Sequence, residues 1–534
     1  MSVLTPSSLP APFTNLTPAS VWAHFATLCR IPRPSKHEGA LRDHLAAWAQ
    51  ARGLATQVDE AGNLIVRKPA TPGHEAAPGV VLQAHLDMVT QKNSDSGHDF
   101  FHDPITPVAR DGWLVAEGTT LGADNGIGVA LMLAVLEDPE AVHGPLEALF
   151  TVDEEAGMGG AHGLAAGALQ GRLMLNLDTE EWGEFYLGCA GGVDVAVSRH
   201  ASPVPLEAGH ALRDVSLRGL RGGHSGVDIH EERGNAIKLL VRVLHDLGTT
   251  LPLQWVSLRG GTARNALPRE AFATVALPAD RVDALHAGLA RWQALLADEL
   301  QGVEQGLSLT AEPTPAPLPG LVMAPAEQAI WLASLHAAPH GVRRMSRQVP
   351  GVVETSNNLG VVSLTPEGGQ AHFMVRSLRD SGSLALAEEI ASLFQLSGTT
   401  VDINGHYPGW TPNPGSPLLA LCQRVYADRH GAPAHVQVIH AGLECGILAA
   451  KHPGMDIVSF GPTIRGAHAP GERVEVASVG RCHDLLRAIL AEAAVRPPQA
   501  GAVRRRRVRY TARAPIPLTG HRPETPPCPA SSTR

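Results

Sequence analysis

The sequence predicts an α/β protein with a mostly parallel central sheet flanked by helices, interrupted by an inserted α+β segment. Three observations predict it. Apolar runs of strand character alternate with helical patterns as far as about residue 190. Near residue 192 the texture changes to period-two strands bracketing amphipathic helices. After about residue 388 the helix and strand alternation resumes and runs to about 497. Strand–helix–strand order builds parallel sheets with helical cover, because each crossover must pass over a sheet face.

The elements follow in chain order. Thr17, with Pro18 just inside, reads as a helix N-terminus, and Val21, Trp22, Phe25 and Leu28 follow at helical spacing. A second helix carries Leu41, Leu45 and Trp48 and stops near Gly53. Residues 54–68 read as a hairpin turning at Ala61, Gly62 and Asn63. Strands are expected at Val80 to Leu82, Leu146 to Val152 and Leu173 to Leu177, with a helix from Ile127 to Leu136. In the insertion, Asp214 to Leu220 and Ala271 to Leu277 alternate, and helices are expected near 234–247 and 280–300. A Pro-rich stretch at 313–319 divides the insertion and hints at two units of similar build. The expected organisation is 1–191 and 389–497 as two parts of one domain, 192–388 as the insertion, and 498–534 as a basic, disordered tail.

Charge supports that division. The formal charge is −9, but the tail from Gln499 holds eight Arg and one Glu, leaving −16 on the rest. At 44% hydrophobic and 18% charged, the chain can bury a sizeable core. No run approaches the ~18 to 20 apolar residues of a membrane span, and the N-terminus shows no export signal. Six scattered Cys without a CxxC pair fit reduced thiols in a cytoplasm. The Arg run could bind nucleic acid, but such runs are more often merely solvated.

Chemistry-bearing residues recur where strand patterns end. One strand runs into His85 and Asp87, a helix is preceded by Asp124 and Asn125, and another strand runs into Asp153, Glu154 and Glu155. A third runs into Asp178, and far downstream Ile457 to Phe460 leads to His468. Carboxyl ends of parallel strands form the binding crevice of open sheets. Mixed carboxylates and imidazoles there suit zinc or a similar divalent ion. In a strand His85 and Asp87 share a side, so Asp87 can fix the imidazole tautomer. Glu154 and Glu155 point to opposite sides of an ideal strand, so one can bind metal while the other stays free as a base. Singly, His-x-Asp, Glu-Glu and Asp-Asn-Gly are weak signals, most often hydrogen bonds, solvated loops and turns. Their joint order carries the argument, and HExxH, Walker and GxSxG motifs are absent.

The segments QAHLDMV, TLGADNGIGVALML, FTVDEEAGMGGA, LNLDTEE and SFGPTIRGAHAPGERV resemble the two-zinc aminoacylase and carboxypeptidase superfamily. RIPRPSKHEGALRDHLAAWA, RGGHSGVDIHEERGNAIKLL, VETSNNLG and HAGLECGIL resemble its aminoacyl-histidine (Xaa-His), cytosol non-specific dipeptidases, over about residues 12–495. The resemblance implies a zinc-peptidase-like catalytic domain with a lid, acting on dipeptides. It implies two divalent ions, Zn²⁺ first and Co²⁺ or Mn²⁺ as alternatives. His85, Asp178 and a shared Asp124 would hold one ion, and Glu155, His468 and Asp124 the other. Asp87 would orient His85, and Glu154 would be the general acid/base. It further implies a cis peptide after Asp124, an oxyanion role for His224, and substrate contacts from Asn265 and Arg376. His440 and Glu444 would bind the substrate amine or brace the metal loop. An N-acyl-amino-acid deacylase or aminotripeptidase is the alternative on the same fold. The sequence leaves open whether His224 serves its own chain or a second copy in a homodimer.

Overall fold

The structure is a computed structural model that describes residues 9–315 and 320–495. The basic tail expected from 498 lies outside the described residues. Two sheets organise the rest. The first runs in the order Ala55–Val58, Leu64–Lys68, Leu146–Thr151, Val80–His85, Leu173–Asn176, Asp456–Ser459, Glu184–Cys189, His435–Ile439. The four strands from 146–151 to 456–459 are parallel to one another, and the hairpin 55–68 adds on antiparallel. Three of these parallel strands are buried from end to end, which requires cover on both faces. The helix Ala123–Glu137 packs on Val80–His85 and on the helix Ala19–Cys29. It is apolar all round, as an interior helix must be. The first helix starts at Ala19 with Pro18, not Thr17, at its N-cap position.

A buried polar ladder crosses the four parallel strands. Ser459 Oγ donates to Asn176 Oδ1, and Asn176 Nδ2 donates to Gln83 Oε1. Gln83 Nε2 donates to Thr151 Oγ1 at 3.1 Å and to Glu444 Oε2 at 2.7 Å, and Thr151 Oγ1 donates to the same oxygen at 2.6 Å. Each strand contributes one rung, so the strand ends are fixed relative to one another.

The second sheet is antiparallel: Ser308–Pro313, His210–Arg218, Ala271–Pro278, Gln254–Gly260, Val353–Thr365, Gly368–Ser377, Gly191–His200, Thr400–Tyr407, with Gly341–Met345 beside Val353–Thr365. It consists of two βαββαβ units. In one, strands 210–218, 254–260, 271–278 and 308–313 alternate with helices Ala236–Leu247 and Val282–Glu299. In the other, strands 191–200, 353–365, 368–377 and 400–407 alternate with helices Pro325–Ala337 and Asp380–Gln395. Both units order their strands fourth, first, third, second. The units join through Leu258 to Gly260 paired with Val362 to Leu364. A boundary at 388 falls inside the helix Asp380–Gln395, and the sheet runs on to Tyr407. The last strand is an exposed edge strand, so it carries no alternating apolar signature. Two separate hydrophobic cores follow the two sheets.

Candidate metal centre and substrate cleft

The strand Val80–His85 delivers His85 to the carboxyl edge of the first sheet, where the ring is fully buried. Its Nε2 lies 3.2 Å from Asp124 Oδ1 and 3.3 Å from Asp178 Oδ1. The other oxygen of Asp124 lies 3.3 Å from His468 Nε2, and Glu155 lies 3.1 Å from that nitrogen. One carboxylate thus faces two imidazoles, each with a further carboxylate beside it. The ligand atoms of His85, Asp124 and Glu155 all fall within 4.8 Å of one another, close enough to hold a metal ion. The Asp124–Asn125 peptide is cis, and Asn125 Nδ2 donates to Asp178 Oδ1.

Electrostatics agree with a cation site. Hydrogen bonds to Asp124 and Glu155 push the His468 ring up to about 11, against desolvation. Burial pushes Asp178 up to about 6, with His85 opposing and the Asp124 and Glu155 carboxylates adding to the rise. Two imidazoles that gain protons beside an Asp178 that resists losing one form a cluster short of positive charge. Hard oxygen and imidazole donors accept a zinc-like divalent ion in that place.

Asp87 is fully buried and serves both sides of the centre. Its Oδ1 lies 3.3 Å from His85 Nδ1 and accepts from Glu154 N at 3.0 Å. Its Oδ2 accepts from Glu155 N at 3.1 Å and from Ser35 Oγ at 2.7 Å. Glu154 and Glu155 do not alternate along a strand, as the sequence suggested. The strand ends at Thr151, Asp153 takes a left-handed φ of 57°, and Glu154 opens a turn closed by Met158 N donating to its carbonyl at 3.0 Å. Glu38 Oε1 holds this turn by accepting from Asp153 N at 2.9 Å. Burial raises the Glu154 carboxyl well above the usual carboxylate range, His85 opposes, and Asp178, Glu155 and Glu444 reinforce.

Two braces escaped the sequence reading. The buried Glu472 accepts from Leu121 N at 2.7 Å, Gly122 N at 2.9 Å and Asp124 N at 3.1 Å. The buried Arg33 donates to the Leu86 and Asp87 carbonyls at 2.9 Å and to the Gly122 carbonyl. Glu472 stands four places after His468, and that proximity was the only signal. Glu472→Ala leaves three buried amides unpaired, so unfolding free energy should fall by roughly 2–5 kcal/mol. Urea titration checks it, and an unchanged midpoint would refute the bracing role.

Groups of the antiparallel unit form a second cluster. His224 Nδ1 accepts from Gly226 N at 3.2 Å and Val227 N at 3.0 Å, which places the proton of the neutral ring on Nε2. Burial, then Arg376, pushes this ring down to about 4. Arg376 is buried and donates to Tyr407 Oη at 2.9 Å, with Ser225 Oγ and His224 Nε2 each 3.4 Å away. It makes no ion pair among the described residues. Asn265 joins this loop only through its carbonyl, which accepts from Ser225 N at 2.8 Å, and its side chain is exposed. None of these side chains bonds directly to the carboxylates around Asp124. The link runs through His440: a Cβ on Gly226 would lie 2.0 Å from the His440 carbonyl oxygen, and Ser356 Oγ lies 2.8 Å from His440 Nε2. Four places on, the fully buried Glu444 is bonded into the polar ladder through Oε2, while its Oε1 has no hydrogen-bond partner among the described residues.

A carboxylate shared between two imidazoles, each with a further carboxylate beside it, makes this edge a candidate divalent-metal centre. The chain belongs to peptidase family M20/M25/M40, which it matches over residues 81–492. It is 46% identical over 479 residues to the cytosol non-specific dipeptidase of Escherichia coli K12, covering 90% of this chain and 98% of that protein. The crystal structure of aminoacylhistidine dipeptidase from Vibrio alginolyticus superposes with a TM-score of 0.82 at 46% identity, covering 90% of this chain and 98% of that one. Aminopeptidase PepT from Bacillus cereus shares the fold at a TM-score of 0.52 and 17% identity, over 90% of this chain and 99% of its own. No described helix is long and apolar enough to cross a membrane.

Proposed function

We propose that the chain is a metal-dependent dipeptidase that cleaves unblocked dipeptides, Xaa-His among them. The observation that carries this reading is Asp124, whose two oxygens face His85 and His468. His85, Asp124 and Asp178 would hold one divalent ion, and Asp124, Glu155 and His468 the other, with Zn²⁺ favoured by the donor set over Co²⁺ or Mn²⁺. Such ions supply Lewis-acid polarisation of a carbonyl and acidification of water. Glu154 takes the proton of the attacking water and returns it to the departing amine. His224, neutral with its proton on Nε2, donates to the oxyanion as it develops.

Arg376 gives the reaction its preference for a free C-terminus. A buried guanidinium with no ion pair among the described residues is costly, and a substrate carboxylate lowers that cost by bidentate pairing. The eight-stranded unit is the catalytic domain, and the nine-stranded unit, ending at Tyr407, is the lid. The E. coli relative is named for the cytosol, and the same location is proposed here.

Metal analysis combined with a substrate panel tests the reading. About two divalent ions per chain are expected, with turnover of carnosine and other dipeptides. N-acetylated amino acids and tripeptides should be slower by roughly 100-fold or more, the scale set by leaving a buried polar group unpaired. Faster deacylation than dipeptide cleavage would reassign the chain to the acylase side of the superfamily.

A further inference from the structure

Arg376 and Tyr407 stand in register opposite the same residue, Gly192, on either side of the strand Gly191–His200. A β-bulge between Asn404 and Tyr407 sets that register. Gly192 is what lets the two side chains meet. A Cβ there would lie 2.6 Å from the Tyr407 ring and from its hydroxyl. Across the ring, a Cβ on Gly442 would lie 3.0 Å from Tyr407 Cε2. The phenol therefore fills a slot between two glycines, and its oxygen accepts from Arg376 Nη1 at 2.9 Å. The hydroxyl proton finds no acceptor among the described residues. Burial pushes the Tyr407 phenol above its ordinary range, so it keeps that proton.

Tyr407 Oη, the Arg376 guanidinium and His224 Nε2 are all donors, and no carboxylate of the described residues forms an ion pair with them; Asp194, paired with Arg264, acts on Arg376 and Tyr407 only through its field. We propose that Tyr407 is a specificity-determining residue of the substrate cleft, holding the Arg376 guanidinium in place and donating its own hydroxyl to the substrate's C-terminal carboxylate. This rests on the dipeptide reading above. Two donors of different shape on one carboxylate fix its orientation as well as its charge. The scissile carbonyl, one residue away, is then presented at a set distance from the metal centre.

Tyr407→Phe tests this, because the ring still fills the slot and only the hydroxyl goes. For an unblocked dipeptide KM should rise by roughly 10- to 100-fold with kcat within about threefold, the scale of one lost charge-assisted hydrogen bond. For the C-terminal amide of the same dipeptide, KM, or Ki where it only competes, should change by less than about twofold, since that ligand carries no carboxylate. An unchanged KM for the free dipeptide would overturn the proposal. So would equal losses on acid and amide, which would mark a merely structural tyrosine. A metal-loaded parent enzyme that cleaves no dipeptide would overturn the functional reading, and this inference with it. A parent that cleaves dipeptides beside a silent Tyr407→Phe sinks this inference alone.

Discussion

Glu154→Ala is expected to lower kcat by roughly 10³- to 10⁴-fold, the upper part of the range for general acid–base catalysis, because one group serves both proton transfers. Metal content should stay at the parent value. The separation is physical. The Glu154 carboxyl makes no hydrogen bond that holds the site, whereas its backbone N–H, which donates to Asp87, survives the substitution. Glu155, the proposed ligand next to it, keeps its own amide bond to Asp87. Removing a carboxyl crowded by Asp178, Glu155 and Glu444 also relieves repulsion, so the melting temperature should not fall. Steady-state kinetics with elemental analysis of the same preparation decides it. Near-parent turnover would remove Glu154 from the mechanism, and loss of metal would make it a ligand.

Asp124→Asn should do something different, and to both ions at once. Asn offers one neutral oxygen where Asp124 offers two charged ones, to His85 at 3.2 Å and to His468 at 3.3 Å. Content should fall from about two ions per chain to below one, and turnover by about three orders of magnitude or more, the equivalent of several kcal/mol of lost Lewis-acid stabilisation. Asp178→Asn and Glu155→Gln touch one nest each and should cost fewer ions than Asp124→Asn. Two tightly held ions and turnover within tenfold of the parent in Asp124→Asn would refute the shared role.

The metal-centre candidates were legible in the sequence because each lies just beyond a strand pattern or at the start of a helical one. His85, Asp124, Asp178 and His468 do converge, as do Glu155 and Asp87. The geometry of Glu154 and Glu155 was not legible, because it depends on the left-handed φ of Asp153 and on Glu38 holding the turn. Glu472 and Arg33 were hidden for another reason. They act on backbone groups at distant positions, and no local pattern marks a side chain whose partners are amides and carbonyls elsewhere. Gln83, Asn176 and Ser459 looked like stray polar residues in apolar strands, and only strand order makes them one ladder. That the antiparallel sheet runs past 388 to Tyr407 was not legible, because Thr400–Tyr407 is exposed along nearly its whole length. The Arg376 and Tyr407 pairing needed the register across Gly192, which sequence spacing does not contain.

The catalytic sheet is discontinuous along the chain: Asp456–Ser459 docks beside Leu173–Asn176 only after the whole antiparallel unit has been made. On the ribosome, at about 5–20 residues per second, His468 therefore emerges some tens of seconds after His85. Through that interval the strand Leu173–Asn176 presents an open edge, the kind of surface that recruits wrong partners. The newborn chain holds His85, Asp124, Glu155 and Asp178 but neither the strand beside Leu173–Asn176 nor the second imidazole. Peptide-cleaving capacity arrives late and all at once, near the end of synthesis, and an interrupted translation product is an aggregation hazard rather than a partial enzyme.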